Sequence, residues 1–279
     1  MKTKNHLKTR LFQGVTLVVL SAYAVTVIYP LLWMIVSGFK TNKEIFGDTW
    51  ALPSNWSLDN YKQAWDIGVG TYFINSVIVT VSAMVLTIFC AALIAFVFAR
   101  FQFPFKKLLF ALVLGGMMLS PEVSLISLYK LLQSMKLYNT YFALILPYSA
   151  FRIPFSAFLM WSYFKDLPIE IEESAYLDGC TSFQMFYKMI LPMSKPVVAT
   201  ASLLAAMTFW NEFMFGLVFI ESSALKTIPI GLMNLRGTLT TEWAIMLAGL
   251  TISALPMIVV FLVFQKQLVR GMTAGGVKG

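Results

Sequence analysis

Charged side chains interrupt the apolar stretches of this sequence at Glu122, Arg152 and Glu212. A charge at mid-bilayer costs at least about 2.5–3.5 kcal/mol, so such groups usually face a cavity or a partner. Carboxylate and amide groups beside an aromatic face could bind a polar ligand, whereas structural hydrogen bonds between helices are the alternative. The candidate residues for a substrate pathway are Trp210, Asn211, Glu212, Asn75 and Glu122.

A second stretch, EESAYLDGCTSFQMFYKMILP at residues 172–192, alternates charged, polar and aromatic residues between two apolar segments. Glu172 and Glu173 lie early in a predicted helix, where the helix dipole favours negative charge, and Gly179 is a natural stop. Residues 181–184, Thr-Ser-Phe-Gln, fit a capping box that starts a second helix. The pattern predicts two short helices joined by a Gly-Cys turn.

The second of these helices is predicted to carry one apolar face, because its large residues recur at i, i+3, i+4 and i+7. They are Phe183, Phe186, Tyr187 and Ile190. A helix that lies on lipid usually has Lys and Arg on its polar face, whereas this one has only Lys188. Two interpretations remain open: an amphipathic connector on the bilayer, or a docking element that inserts into a groove of a soluble partner.

The elements around these residues are predicted to be membrane-spanning helices. The 279 residues are 58% hydrophobic and only 12% charged, about half the charged share of a soluble domain. Since ~20 helical residues rise ~30 Å, the uncharged runs are long enough to cross a bilayer. We predict an all-α integral membrane protein with six spans in a single domain of residues 1–279. The spans are placed at about 12–37, 71–99, 108–131, 140–163, 197–220 and 242–265.

Lys and Arg set the predicted orientation of these spans. With the N-terminus inside, 13 of them fall in the inner segments and seven in the outer loops, as the positive-inside rule expects. An even number of spans then places both termini, and the segment 165–195, in the cytoplasm. The charges lie at the edges of apolar runs and not on one polar face, so nucleic-acid binding is not expected.

Few residues of this chain could do catalysis. The only histidine is His6 in the N-terminal tail, and neither H-E-x-x-H nor G-x-S-x-G occurs. Cys90 and Cys180 lie in different predicted environments, so no disulfide is expected, and Cys180 is either a reactive thiol or a small turn residue. No G-x-x-x-x-G-K-[ST] phosphate loop occurs, so the chain is not expected to bind ATP by the usual route. We expect no catalytic residue, metal ligand or cofactor here.

The segment 172–192 resembles the EAA loop of ABC importer permeases, whose pattern is E-A-A-x-x-x-G followed by I-x-L-P. The matching residues are Glu173-Ser174-Ala175, Asp178-Gly179 and Ile190-Leu191-Pro192. Ser174 replaces the first alanine, and the residue that usually separates the isoleucine from Leu-Pro is missing. Both departures are small.

Other stretches resemble the carbohydrate branch of the same family, and the resemblance covers nearly the whole chain. Residues 128–129, 139–140 and 144–147 are similar to the third and fourth spans of carbohydrate permeases, and Trp210-Asn211-Glu212-Phe213 to their fifth. The terminal GMTAGGVKG is similar to the tail of the maltose-type second permease subunit, with Gly276 where alanine is usual.

The resemblance implies a type I ABC importer permease fold, with six transmembrane helices and a cytoplasmic EAA-loop coupling region. The implied partners are a homologous second permease subunit in a heterodimer, two copies of an ABC ATPase that bind ATP and Mg, an extracytoplasmic sugar-binding protein and membrane lipid. The implied location is the bacterial plasma (inner) membrane. The residues implied in ATPase coupling are Glu172, Glu173, Ser174, Ala175, Asp178, Gly179 and Phe183.

The implied function is ATP-driven import of a sugar, with oligosaccharides favoured. Closure of the ATPase pair would move the EAA loop, and the loop would rock the spans as rigid bodies. Two other classes stay open at this point. An ion-coupled secondary transporter would usually show internal repeats and broken helices, and a membrane-embedded enzyme would need an acid–base centre.

Overall fold

The computed structural model describes residues 2–177, 179–235 and 242–274, and every regular element in these ranges is helical. Their contacts divide the chain into two units. The first unit takes the residues up to Val69 together with the described residues between Asn234 and Ala254. The second takes Gly70–Met233 and the chain from Leu255 onward.

The first unit begins with the long helix α1, Lys2–Ser37. Two short helices follow, α2 (Asn42–Gly47) and α3 (Asp59–Ala64), and α3 runs into a π-helical turn at Trp65–Val69. The last helix, α14 (Trp243–Ala274), belongs to this unit as far as Ala254. Residues 12–32 of α1 are exposed on every side, as is expected of an apolar helix that meets lipid or another subunit.

Polar side chains fix the segment that follows α1. Asn60 Nδ2 donates to the carbonyl oxygens of Gly38 and Lys40, both at 2.9 Å, and Tyr61 Oη donates to the carbonyl of Ile35 at 2.7 Å. Lys40 is itself buried, and its ammonium donates to the carbonyl of Thr49 at 2.9 Å. Because the last carbonyls of a helix lack intrahelical partners, these donors complete the end of α1.

Within the described residues, the second unit contains ten further α-helices together with the later part of α14. They are α4 (Gly70–Arg100), α5 (Lys106–Gly115), α6 (Leu125–Ser134), α7 (Phe142–Lys165), α8 (Glu170–Leu177), α9 (Ser182–Met185), α10 (Leu191–Met193), α11 (Lys195–Trp210), α12 (Met214–Phe219) and α13 (Ile228–Leu235), the last as far as Met233. A π-helical turn at Phe186–Ile190 joins α9 to α10.

The core of the second unit is built on the contact between α4 and α7. The buried residues of α4 include a series of alanines, and α7 buries alanine and serine. Ser149 Oγ of α7 lies 3.1 Å from the carbonyl oxygen of Ala83 on α4 and 2.8 Å from that of Ile145. Small residues let helix backbones approach closely, which favours association where lipid removes the hydrophobic driving force.

Among the described residues, four helices are long and apolar enough to cross a membrane. They are Phe12–Ser37, Asp59–Arg100, Phe142–Lys165 and Trp243–Gln265. The first, second, fourth and sixth predicted spans each overlap one of them. Ser182–Met193 and Lys195–Trp210 form a pair bent by 79° that would make a fifth span if counted as one.

The third and fifth predicted spans are interrupted. The chain leaves helical geometry at residues 119–124, around Pro121, where proline has no N–H to donate. The fifth span is broken at residues 211–213, between α11 and α12. The number of six spans therefore stays a prediction.

Replacing Ala83 with leucine should destabilise the second unit, because Ala83 has no exposed surface and its carbonyl meets Ser149. Overpacking of this kind costs about 1–3 kcal/mol. We expect A83L to lower the midpoint of thermal unfolding of the detergent-purified chain by at least about 2 °C, followed by tryptophan fluorescence. The neighbouring Ser82 is exposed, so S82L adds the same side chain without a clash and is the control. Equal midpoints for the two variants would contradict the packing argument.

Candidate functional site

The turn between α8 and α9 depends on Gly179. Cys180 N donates to the carbonyl of Ala175, and Gly179 N donates to that of Tyr176, both at 3.0 Å, which is the Schellman pattern of a helix end. Gly179 has a φ of 78°, in the left-handed region that glycine adopts without strain. A Cβ there would meet no atom within 4 Å, so glycine is needed for its backbone conformation and not because a side chain would clash. The predicted stop at Gly179 is confirmed, whereas Asp178 lies outside the described residues.

The start of α9 is the predicted capping box. Thr181 Oγ1 accepts a hydrogen bond from Gln184 N at 3.3 Å, and Gln184 Oε1 accepts one from Thr181 N at 2.9 Å. The two bonds satisfy donors that a helix start leaves without partners. They fix the direction in which α9 leaves the turn.

The prediction of a single apolar face on this second helix is wrong. Phe186 and Ile190 are buried, whereas Phe183 is 66% exposed and Tyr187 is 46% exposed. The π-helical turn at Phe186–Ile190 changes the angular spacing of the residues, and the core takes up only one pair. Phe186 packs against Phe96 of α4, with ring centroids 5.1 Å apart. The exposed rings of Phe183 and Tyr187 pack on each other, with centroids 5.6 Å apart.

The outward side of α8 and α9 is therefore an exposed surface rich in apolar groups. Leu177, at the end of α8, is 90% exposed. We call the following set the loop surface: Glu173, Ser174, Leu177, Phe183 and Tyr187. Large apolar side chains left exposed in this number favour an interaction site. The rigid turn and the capped helix start present this surface in one geometry.

Glu172 points away from the loop surface. Its carboxylate is buried and forms an ion pair with the guanidinium of Arg100, the last residue of α4. Arg100 Nη2 also donates to the carbonyl of Leu167 at 3.3 Å. Burial raises the pKa of the Glu172 carboxyl, and the charge of Arg100 opposes that rise. Of the residues expected at a partner, Glu172 and the buried Ala175 instead anchor α8 to the core.

Glu212, a candidate pathway residue, is held by groups of the protein itself. Its Oε1 accepts a hydrogen bond from Phe215 N at 2.7 Å, and its Oε2 accepts from Gly216 N at 3.3 Å. These amides belong to the first turn of α12, where a carboxylate is favourable. The hydroxyl of the buried Tyr148 donates to Oε2 at 2.5 Å. Glu212 therefore joins α7 to α12, the structural role that the sequence left open.

Asn75 is likewise engaged. It is buried on α4, and its Nδ2 donates to the carbonyls of Ala224 at 2.8 Å and Lys226 at 2.9 Å. Tyr141 Oη donates to Asn75 Oδ1 at 2.7 Å. The amide therefore clamps the segment 224–226 onto α4.

The other three candidate pathway residues lie apart from this clamp. Trp210 is buried and packs edge-on against Phe73, with centroids 5.7 Å apart. Asn211 is exposed, and its Nδ2 donates to the carbonyl of Met207 at 2.8 Å. Glu122 is exposed in the break after α5, where it accepts a hydrogen bond from Ser120.

A cavity of about 460 Å³ lies beside Trp210 in the second unit. Residues of α4, α11 and the later part of α14 line it, and most of them are aliphatic or aromatic. Thr80 and Ser202 supply its hydroxyl groups. The cavity offers an apolar wall with few hydrogen-bonding groups for a polar ligand.

Sequence reasoning missed Arg100 and Tyr148, the side chains that bind Glu172 and Glu212. Arg100 was counted only as a charge that orients a span, and Tyr148 was one of many aromatic residues in an apolar stretch. An arginine that ends one span, with a glutamate early in a later loop helix, was an available signal for the ion pair. The Tyr148–Glu212 bond depends on tertiary packing that no local pattern shows.

Comparisons with known proteins agree on one family. Residues 91–274 match the family described as "Binding-protein-dependent transport system inner membrane component". The chain is 52% identical over 262 residues to the probable ABC transporter permease protein YurM of Bacillus subtilis, covering 94% of this chain and 87% of that protein. It is 32% identical over 269 residues to the diacetylchitobiose uptake system permease protein NgcG of Streptomyces coelicolor, covering 95% and 89%.

A third relative and a solved structure extend the comparison. The trehalose/maltose transport system permease protein MalG of Thermococcus litoralis is 31% identical over 261 residues, with 92% of this chain and 93% of that protein covered. A chain from the crystal structure of a bacterial ABC transporter involved in the import of the acidic polysaccharide alginate superposes with a TM-score of 0.82. It is 20% identical and covers 92% of this chain and 96% of its own length, which shows a common fold. From the family match and these relatives, the chain belongs to the binding-protein-dependent inner membrane components, the permease subunits of ABC transporters.

Proposed function

We propose that this chain is the permease subunit of an ATP-driven importer that carries a sugar, with oligosaccharides favoured, into the cell. Support for the sugar comes from the names of relatives, which concern diacetylchitobiose, trehalose and maltose, and, in Halalkalibacterium halodurans, arabinooligosaccharides. The family description names a transport component of the inner membrane. The ion-coupled transporter and the membrane enzyme have no comparable support.

The proposed assembly contains a homologous second permease subunit in a heterodimer, two copies of an ABC ATPase, and an extracytoplasmic sugar-binding protein. The ATPase subunits bind ATP and Mg, and this chain binds no cofactor. Both termini and the segment 165–195 lie in the cytoplasm. The distribution of Lys and Arg supports this orientation. The exposed apolar surface of residues 12–32 is available to lipid or to the second permease subunit.

The observation that carries the coupling proposal is the loop surface on a rigid base. Leu177 of α8 and Phe183 of α9 are exposed, while Ala175 of α8 and Phe186 of the π-helical turn after α9 are buried. An amphipathic helix that presents such anchors suits a groove of a partner protein, here the ATPase. Glu173 would add an exposed charge at the rim of that contact.

The Arg100–Glu172 pair would carry the motion inward. Because Glu172 is on α8 and Arg100 ends α4, a displacement of α8 pulls on the helix that packs along α7. Rigid-body rocking of helices around a site is a common mode of alternating access. In this proposal Glu172 positions α8 and does not itself touch the ATPase.

The substrate pathway is proposed to need the second subunit. Glu212 and Asn75 already bind groups of this chain, and the cavity beside Trp210 is mostly apolar. A sugar requires several hydrogen-bonding partners, because unpaired hydroxyls are costly once water is excluded. This chain would thus supply an aromatic wall at Trp210 and the exposed amide of Asn211. In this proposal the exposed Glu122 would lie at the edge of the pathway.

The substrate class can be tested with the whole complex in nanodiscs. Binding protein and a panel of monosaccharides and oligosaccharides are added, and ATP hydrolysis is measured. We expect one or more oligosaccharides to raise hydrolysis above the level with binding protein alone. A complex that is active but responds only to non-sugar solutes would contradict the sugar assignment without touching the permease assignment.

The loop surface can be tested with L177A/F183A. Central apolar anchors of an interface cost about 2 kcal/mol or more when truncated, so the ATPase should bind about 30-fold or more weakly. We expect sugar-stimulated hydrolysis to fall and the ATPase to be lost on purification. The exposed Ile126 lies outside the loop surface, and I126A serves as the control. The coupling role is wrong if the double variant keeps normal stimulation.

The ion pair can be tested by thermal unfolding. R100Q leaves the buried Glu172 carboxylate without its counter-charge, and breaking one side of a buried pair costs about 3–5 kcal/mol. We therefore expect R100Q to unfold at a lower temperature than R100Q/E172Q. The neighbouring Glu173 is exposed, so E173Q is the matched control and should leave the midpoint of thermal unfolding unchanged. Additive effects of R100Q and E172Q would show that the pair contributes nothing.

A further inference from the structure

A second cavity, of about 620 Å³, lies in the second unit where α4 ends, α5 begins and α7 ends. Aromatic side chains form much of its lining, and three lysines lie among them. The lysines are Lys106, Lys107 and Lys165. Neither the loop surface nor the substrate pathway includes this cavity.

Two of the three lysines have neutral partners in this chain. The ammonium of Lys106 donates to the carbonyl of Phe101 at 2.7 Å. The Lys165 ammonium lies 5.5 Å from the centroid of the Trp161 ring, and Lys107 is exposed at the rim. Among the described residues that line the cavity none is acidic. Three positive charges thus converge on a space that offers them no anion.

The start of α5 adds to this excess of positive potential. Lys106 and Lys107 occupy its first turn, where the helix dipole is already positive, and that turn contains no acidic residue. Phe105 precedes it and offers no side-chain acceptor to its amides. Lys106 N itself donates to the carbonyl of Phe103 at 3.3 Å, so an anion in the cavity would meet the lysine ammonium groups within the positive field of the helix start.

The apolar part of the cavity narrows the class of anion. The rings of Phe98 and Phe110 pack at 5.0 Å, and those of Phe110 and Trp161 at 4.7 Å, which forms a continuous aromatic wall. A small soluble anion would use the lysines and leave the aromatic wall empty. A molecule with an anionic head and apolar chains would cover both.

We propose that this cavity binds an anionic phospholipid, with its phosphate among the three lysines and an acyl chain along the aromatic wall and α5. Lysines at helix ends mark the boundary between membrane and water, where lipid headgroups lie. Basic pockets between helices at that depth suit anionic headgroups.

The test uses the full chain, stripped of lipid in a neutral detergent. Fluorescent phosphatidylglycerol and phosphatidylcholine with identical acyl chains are titrated separately, and dissociation constants are measured. We expect the wild type to bind phosphatidylglycerol at least tenfold more tightly. The variant K106Q/K107Q/K165Q should lose about fivefold per lysine, the equivalent of about 1 kcal/mol each and about 100-fold in all, which would abolish a tenfold preference.

Two further variants separate the site from general charge and from misfolding. K130Q/K136Q/K195Q removes three exposed lysines outside the cavity and should keep the preference. K106R/K107R/K165R keeps the positive charge and should also keep the preference for phosphatidylglycerol. If the glutamine triple variant unfolds, the exposed Lys107 allows the single variant K107Q, with an expected fivefold loss.

Three outcomes would overturn the proposal. The first is equal affinity of the wild type for the two lipids, and the second is an unchanged preference in the folded glutamine variant. The third is complete displacement of phosphatidylglycerol by millimolar inorganic phosphate, which would make the cavity a site for free phosphate. Retention by the arginine variant with loss in the glutamine variant would support a lipid site.

Discussion

The close approach of α4 and α7 is the constraint on which the rest of residues 70–233 depends. Alanines and serines at the contact let the two backbones meet, so Ser149 reaches the backbone of Ala83 across the interface. The shared core then receives α11 beside the same helices, and Phe186 of the segment after α9 packs on Phe96. In a membrane protein, where lipid is as apolar as leucine, such close packing replaces the hydrophobic effect as the main source of cohesion.

The long helices could be predicted from sequence because an uncharged run of more than 20 residues has few alternatives in a bilayer. The spans that are interrupted at residues 119–124 and 211–213 could not be predicted in this way. Pro121 was visible, yet a proline within a span can be tolerated when neighbours satisfy the freed carbonyls, so its position alone does not decide between a kink and a break. The break at residues 211–213 depends on Glu212, which caps α12 and binds Tyr148. That outcome is tertiary and leaves no local signal.

Local chemistry was the more reliable guide at the loop. Gly179 and the Thr181–Gln184 box act within a few residues of chain, so their geometry followed from residue types. The residue types did not predict which of the two acids faces inward, because Glu172 and Glu173 are equivalent in any local pattern. The position of Arg100, 72 residues earlier in the chain, decides it. Residue types thus identified the segment, and the packing partner assigned the role of each side chain.

The helix α4 binds another segment of the chain near each of its ends. Near its start, Asn75 grips the carbonyls of Ala224 and Lys226, and its last residue grips α8. The 25 residue steps from Asn75 to Arg100 cross no proline and correspond to about 38 Å of helix, more than the thickness of the hydrocarbon core. In the proposed transport cycle such a helix would move as one rigid body, so a displacement at one side of the membrane would reach the other. If binding at one end shifts the helix, thermodynamic reciprocity requires that binding at the other end changes by the same factor.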